Sequence, residues 1–217
     1  MSNEDKLFEI YSQELQKWNN KFNLTAITDP AEIKLKHFQD SLALLSVLPL
    51  TNESIVDVGA GAGFPGIPLK IACPNIKLTL IEATGKKCEF LNHLISALGL
   101  KDVIVINARA EEAIKEKRET YDLAVSRAVA ELRVLCEYCL PFVKVGGLFV
   151  AYKEEKVEAE VSAAKKALAE LGGQLKEIKK VNLPDSAIVR SLVVIAKVAP
   201  TPLKYPRRAG MAKKRPL

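Results

Sequence analysis

Between residues 54 and 69 the chain reads Ser-Ile-Val-Asp-Val-Gly-Ala-Gly-Ala-Gly-Phe-Pro-Gly-Ile-Pro-Leu. Strand-forming Ile55, Val56 and Val58 run into Gly59, Gly61, Gly63 and Gly66, four glycines in eight positions. An apolar helix start follows at Ile67 and Leu69. A strand that breaks into glycines and then a helix is the first turn of a nucleotide-binding βαβ unit, where the backbone must turn tightly and lie against a ligand.

Two ligand chemistries use such a turn. Gly61-Ala62-Gly63-Phe64-Pro65-Gly66 has the spacing of a dinucleotide site, which binds a pyrophosphate on free N–H groups at a helix N-terminus. Pro65 and Pro68 lack the N–H that such a site needs. The same stretch also reads Asp57-x-Gly59-x-Gly61-x-Gly63. An acid ahead of the glycines repels a pyrophosphate and suits a ligand with an ammonium and a sulfonium. S-adenosylmethionine is therefore the favoured ligand, with NAD as the alternative.

Those residues need a frame. Strands are expected at 55–58, 76–82, 103–107, 121–126 and 147–152, with helices between them at 65–73, 85–98, 109–117 and 130–140, then 154–171. The alternation implies a parallel sheet with helices on both faces. Two last strands, near 174–181 and 190–198, have no helix between them and must place one antiparallel strand at or near an edge. That ending is the Rossmann-like methyltransferase pattern. Ahead of the sheet, amphipathic helices over 2–22 (Ser2 and Asp5 as a capping box) and from Asp29-Pro30 to about Val47 read as a small N-terminal helical cap. The expected division is a cap over 1–50, the ligand-binding α/β domain over 51–200 and a basic tail over 201–217.

Ligands in an open parallel sheet sit beyond the carboxyl ends of the strands. Asp57 and the glycines follow the first strand. Glu82, after the second, suits ribose hydroxyls. Asn107, Arg109, Ala110 and Glu111, after the third, border an adenine edge. Ser126, Arg127, Ala128 and Val129, after the fourth, should face the group that is modified. After strand four there is no Asp/Asn-Pro-Pro-aromatic element for an exocyclic amine and no cysteine nucleophile for a pyrimidine carbon. His37 and His93 read as surface or packing residues, so no general base is evident. Guanine N7 needs none, because its lone pair is free and attack releases no proton.

The chain carries 32 Lys and Arg against 26 Asp and Glu. Six of the basic residues, Lys204, Arg207, Arg208, Lys213, Lys214 and Arg215, lie in the last fourteen positions without an acid, so the rest of the chain is balanced at 26 against 26. A basic tail on a neutral body points to a polyanionic partner, and Tyr205 with its neighbouring prolines points to an ordered, extended tail. The four cysteines show no disulfide framework, and Cys136-x-x-Cys139 lacks the second pair of a zinc site, so no metal is expected. No apolar run approaches the roughly 20 residues of a membrane span, and the polar N-terminus is no secretory signal. A cytoplasmic protein is expected.

Asn23-Leu24-Thr25-Ala26-Ile27, His37-Phe38-x-Asp40-Ser41-Leu42, the run Asp57 to Leu69, Ser126-Arg127-Ala128 and Lys204-Tyr205-Pro206-Arg207-Arg208-Ala209-Gly210 together resemble the bacterial RsmG (GidB) family, in order and spacing over nearly the whole chain. The resemblance implies a class I S-adenosylmethionine-dependent methyltransferase fold, with a seven-stranded, mostly parallel sheet. It also implies methylation of guanine N7 in the decoding-region loop (the G527 site) of 16S ribosomal RNA in the small ribosomal subunit. Cofactor contacts carry over to Gly59, Phe64, Ala110, Glu111 and Arg127, beside Asp57, Gly61, Gly63 and Glu82 from the turn itself. Arg127, Asn23 and Thr25 are the acceptor-side candidates, and Lys153 joins the six tail cations as an RNA contact. Ala60 and Ala83 depart from the hydroxyl residues common there, which removes two side-chain contacts but not the backbone cradle. A monomer without an obligate protein partner is expected. A small-molecule methyltransferase of this fold and a non-catalytic RNA-binding factor remain as alternatives.

Overall fold

The computed structural model describes residues 2–127 and 130–217. Seven strands, β1 (Ser54–Val58), β2 (Lys77–Glu82), β3 (Val103–Asn107), β4 (Tyr121–Ser126), β5 (Val143–Glu154), β6 (Gly173–Asn182) and β7 (Val189–Lys197), form one sheet in the order β3-β2-β1-β4-β5-β7-β6. β7 runs antiparallel between β5 and β6, and the other neighbours are parallel. The order reverses beside β1, so β1 and β4 flank the switch point, where a ligand crevice opens.

Alternation along the strands separates two cores. Ile55, Leu123 and Val125 face one layer, built from α1 (Asn3–Phe22), α4 (Gly66–Ala72) and α5 (Gly85–Ala97). Val56, Val58 and Ala124 face the other, built from α6 (Ala110–Ala113), α7 (Leu132–Cys139), α8 (Glu158–Ala163) and α9 (Lys165–Leu171). The N-terminal helices belong to the first core, with Tyr11, Leu15, Ile33 and Phe38 buried among sheet residues.

Local chemistry explains the boundaries. Ser2 and Asp5 close a capping box on α1, and Asn23 ends it in the left-handed conformation. Asp29 caps α2 (Pro30–Ile33) through the Glu32 N–H. The expected single helix over 30–47 is continuous but not uniform: α2 passes into a π-helical stretch at Lys34–Gln39, then α3 (Asp40–Leu42) and a 3-10 turn at Ala43–Ser46. Such wide turns are rare and concentrate at functional sites. The helix expected from 154 starts only at Glu158, because Lys153 and Glu154 continue the ladder opposite Ser191 and Arg190. Gly172 stops α9 at φ +76°, and a Cβ there would meet the Ala199 carbonyl oxygen at 2.0 Å. The tail is ordered as expected but is not extended throughout: it ends in a further short helix, α10 (Met211–Lys214). No helix among the described residues is long and apolar enough to cross a membrane, and all four cysteines are free.

The first helix also braces the glycine turn. Tyr11, fully buried, donates its hydroxyl to the Ala62 carbonyl at 2.6 Å and stacks on Phe64 with ring centroids 5.2 Å apart. Gly63, at φ +99°, leaves room for that hydroxyl, which a Cβ would approach to 2.7 Å. Tyr11→Phe removes one buried hydrogen bond and leaves a carbonyl unpaired, so stability should fall by about 1–2 kcal/mol. Urea denaturation would read this as a lower midpoint with an unchanged slope.

Candidate active site: the cleft at the carboxyl ends of β1 and β4

The glycine turn hangs on two carboxylates. Asp57 Oδ2 accepts from the Gly66 N–H at 2.8 Å beneath the turn, and Gly66 is glycine because a Cβ would sit 2.9 Å from that oxygen. Glu82, at the end of β2, accepts from the Gly61 N–H at 2.9 Å and the Thr84 N–H at 2.8 Å. Gly59 and Ala60 donate to the Ile81 carbonyl, and Gly63 and Phe64 to the Ala60 carbonyl. The donors that a pyrophosphate would need are thus already engaged, and acids hold two of them. Asp57 Oδ1 is buried and accepts no hydrogen bond among the described residues. Burial pushes the Asp57 carboxyl up to about 7, with the neighbouring Glu82 adding to the rise, while the Gly66 N–H and Arg127 work against it.

Two cavities meet at Gly59. One, of about 210 Å³, is an apolar slot between Ile81, Glu82, Ala110 and Glu111 on one side and Leu135 and Tyr138 of α7 on the other. The second, of about 410 Å³, lies between the glycine turn and Leu24, Thr25, His37, Phe64, Lys87 and Arg127. A third, more polar hollow of about 470 Å³ opens on the far side of Arg127, against Tyr152, Lys153, Lys156 and Arg190.

Arg127 is held rigidly between these spaces. Its guanidinium donates to Asp40 at 2.8 Å, to the Lys36 carbonyl at 3.0 Å and to His37 Nδ1 at 3.1 Å, and it lies 5.0 Å from the Phe64 ring centre. Asp40, itself 1% exposed, also accepts from Arg190 at 2.7 and 3.2 Å. One buried acid therefore joins the N-terminal helical run to β4 and β7 through two arginines. His37 stacks on Phe64 at 4.3 Å, and its Nε2 lies 2.9 Å from the Thr25 hydroxyl. Burial, reinforced by the Arg127 charge, brings its pKa down to about 4. With Nδ1 accepting from Arg127, the neutral ring carries its proton on Nε2 and donates it to Thr25. Neither nitrogen is free to take a proton from a substrate.

Gly59, Gly61, Phe64, Glu82, Ala110, Glu111, Arg127 and Thr25 all line this cleft. Asp57 and Gly63 lie beneath the turn and not on a cavity wall. Asn23 is exposed, with its left-handed backbone capping α1, directly before Leu24 and Thr25 of the cleft. Ser126 is buried and donates to the Val58 carbonyl, so it ties β4 to β1. Ala128 and Val129 lie outside the described residues.

Two expected RNA cations are committed elsewhere. Lys153 is buried and paired with Glu160 at 2.7 Å, because it points between β5 and α8. Arg207 forms a forked pair with the buried Glu137 of α7, 2.5 Å at the shortest. Lys204, Arg208, Lys213, Lys214 and Arg215 are exposed. Sequence reasoning passed over His37, Asp40 and Arg190. His37 and Asp40 sit in one motif that helical periodicity assigns to packing, and Arg190 meets Asp40 only through the sheet.

Residues 4–189 match the family model GidB, described as rRNA small subunit methyltransferase G. The chain belongs to this family. It is 51% identical over 215 residues to the ribosomal RNA small subunit methyltransferase G of Acetivibrio thermocellus, covering 98% of this chain and 88% of that one. Against the Alkaliphilus metalliredigens protein of the same name the identity is 49%, over 95% and 88% of the two chains. Among solved structures, the M. jannaschii TYW2 protein in complex with AdoMet matches with a TM-score of 0.54 at 23% identity, covering 67% of this chain and 68% of that one. That likeness bears on the fold alone, and it agrees with the class I methyltransferase sheet found here.

Asp57 and His37 pull stability in opposite directions with pH. The raised Asp57 pKa gives a contribution complete below about 4 and lost as pH climbs to about 7. The depressed His37 pKa gives one complete above its ordinary 6.5 and lost as pH falls to about 4. Asp57→Asn removes only the first, so its stability relative to the parent protein should grow steadily from pH 4 to 7. Urea midpoints across that range would read the trend.

Proposed function

We propose that this chain is an S-adenosylmethionine-dependent methyltransferase that transfers a methyl group to N7 of a guanine in the decoding-region loop of 16S ribosomal RNA. The observation that carries the cofactor assignment is the turn itself: its N–H groups are spent on Asp57, Glu82 and backbone carbonyls, leaving acids where a dinucleotide would need donors. The residues fit a cationic ligand. Beneath the turn, Asp57 Oδ1 is a buried acceptor without a partner among the described residues, so it acts through the turn and not by ligand contact. Glu82 lines the cleft at the ribose position, and the slot of Ala110, Leu135 and Tyr138 has the flat apolar character an adenine takes. A solved structure of this fold, the M. jannaschii TYW2 protein, is in complex with AdoMet, and relatives with about half the sequence in common are named for small-subunit ribosomal RNA.

When bound, the cofactor supplies an electrophilic methyl group. The protein's own residues then have to bind, orient and exclude water. Gly59, Gly61 and Phe64 form the floor between the two cavities, and Glu82 and Glu111 mark the nucleoside side. Arg127 and Thr25 form the acceptor wall, and Arg127 is fixed by Asp40 before any substrate arrives. Fixing such groups in advance is worth several kcal/mol in a bimolecular transfer. On the acceptor wall, both His37 nitrogens are engaged, so the imidazole is not free to remove a proton. Guanine N7 suits that wall because it attacks through a lone pair and loses nothing. The exposed tail cations Lys204, Arg208, Lys213, Lys214 and Arg215 are the proposed phosphate contacts.

Incubation with labelled S-adenosylmethionine and small ribosomal subunits, followed by nucleoside digestion, should give label in 7-methylguanosine. Label on N1, N2 or a ribose would overturn the N7 assignment, and no label at all would favour a binding factor. Changing the five exposed cations to Gln should reduce the log–log salt slope of RNA binding by roughly 3.5, at about 0.7 per phosphate contact. An unchanged slope would remove the tail from the RNA interface.

A further inference from the structure

The tail does more than carry charge. It returns across the second face of the sheet: Tyr205 is buried in that core, its hydroxyl meets Glu170, and Arg118 holds the Thr201 and Tyr205 carbonyls. Past that anchor it reaches both walls of the apolar slot. Glu137 of α7 accepts from the Arg207 backbone N–H at 2.8 Å and from its guanidinium at 2.9 and 2.5 Å. Glu137 stands between Leu135 and Tyr138, which line the slot. Glu111, on the facing wall, accepts from the Gly210 N–H at 2.9 Å. Gly210 turns the chain at φ +81° to start α10, whose Ala212 is fully buried.

We propose that residues 201–214 form a strut that sets the spacing of the two walls of the nucleoside slot, with Arg207 as its positioning residue. This rests on the cofactor reading above. A buried carboxylate such as Glu137 requires compensation, and Arg207 supplies it in forked geometry. A four-residue helix has no stability of its own, so docking of α10 depends on these tertiary contacts. The docked tail and the correctly spaced slot are then one state. A ligand that fills the slot favours docking, and docking favours the ligand by the same factor.

Two measurements test this. Titration calorimetry with S-adenosylhomocysteine on Arg207→Gln, checked as folded by circular dichroism, should give an affinity about tenfold weaker. Arg207→Lys, which keeps the charge but not the fork, should recover part of it. In turnover the cofactor KM should rise with kcat kept within about twofold, a split that general destabilisation would not give. In the parent protein, saturating S-adenosylhomocysteine should slow hydrogen exchange of the amides in 205–214, a readout that needs no variant to fold. Unchanged affinity in folded Arg207→Gln, or tail exchange indifferent to the ligand, overturns the strut. A parent protein that takes up no S-adenosylhomocysteine overturns the cofactor reading itself, and the two failures are thereby told apart.

Discussion

A polypeptide turn rich in glycine exposes N–H groups, and what those groups bond to decides what the turn can hold. Here the bonds run inward. Asp57 takes the first N–H of α4 from below, Glu82 takes the Gly61 N–H from the neighbouring strand, and the carbonyls of Ala60 and Ile81 take most of the rest. The turn becomes a rigid shelf braced by two carboxyl groups, and a phosphate ligand would have to break several of these bonds and displace both. The neighbouring contacts reinforce the shelf: Tyr11 ties it to α1, and Phe64 stacks between that helix and the His37–Arg127 pair.

The second constraint is the buried charge of Asp40. An acid so enclosed is tolerable only with full compensation, and its two arginines, one just past β4 and one in β7, are far from it in sequence. That requirement fixes where the N-terminal helical run lies against the sheet. It also aims Arg127 along the cleft and uses the wide turn at Lys34–Gln39 to bring His37 and Asp40 to the same place. The placement of Arg127 on the cleft is thus a consequence of satisfying one carboxylate.

How much of this the sequence reveals depends on the range of the interaction. The strands, the glycine turn and the caps at Ser2, Asp29 and Gly172 are local, and composition and spacing display them directly. Glu82 and Ala110–Glu111 follow from strand ends, because topology alone puts strand ends in a crevice. His37 is hidden because helical spacing assigns it to packing, and packing it does, against Phe64; only the tertiary fold adds Arg127 and Thr25. Arg190 has no local signature, since its partner is 150 residues away. Asn23 serves a second, local purpose that the motif does not display: its left-handed backbone caps α1 next to Leu24 and Thr25 of the cleft.

The tail shows where counting charges fails. A sum over residues treats Arg207 and Arg208 alike, yet one is sealed onto Glu137 and the other is exposed. A charge contributes to long-range attraction for a polyanion only to the extent that no fixed counter-charge lies against it. The sealed arginine instead ties the tail to α7, the helix that lines the slot. The exposed cations and the sealed one lie within a dozen residues on the same short segment. In the proposed reading, a polyanion at the exposed charges and a nucleoside in the slot would act on the same short segment.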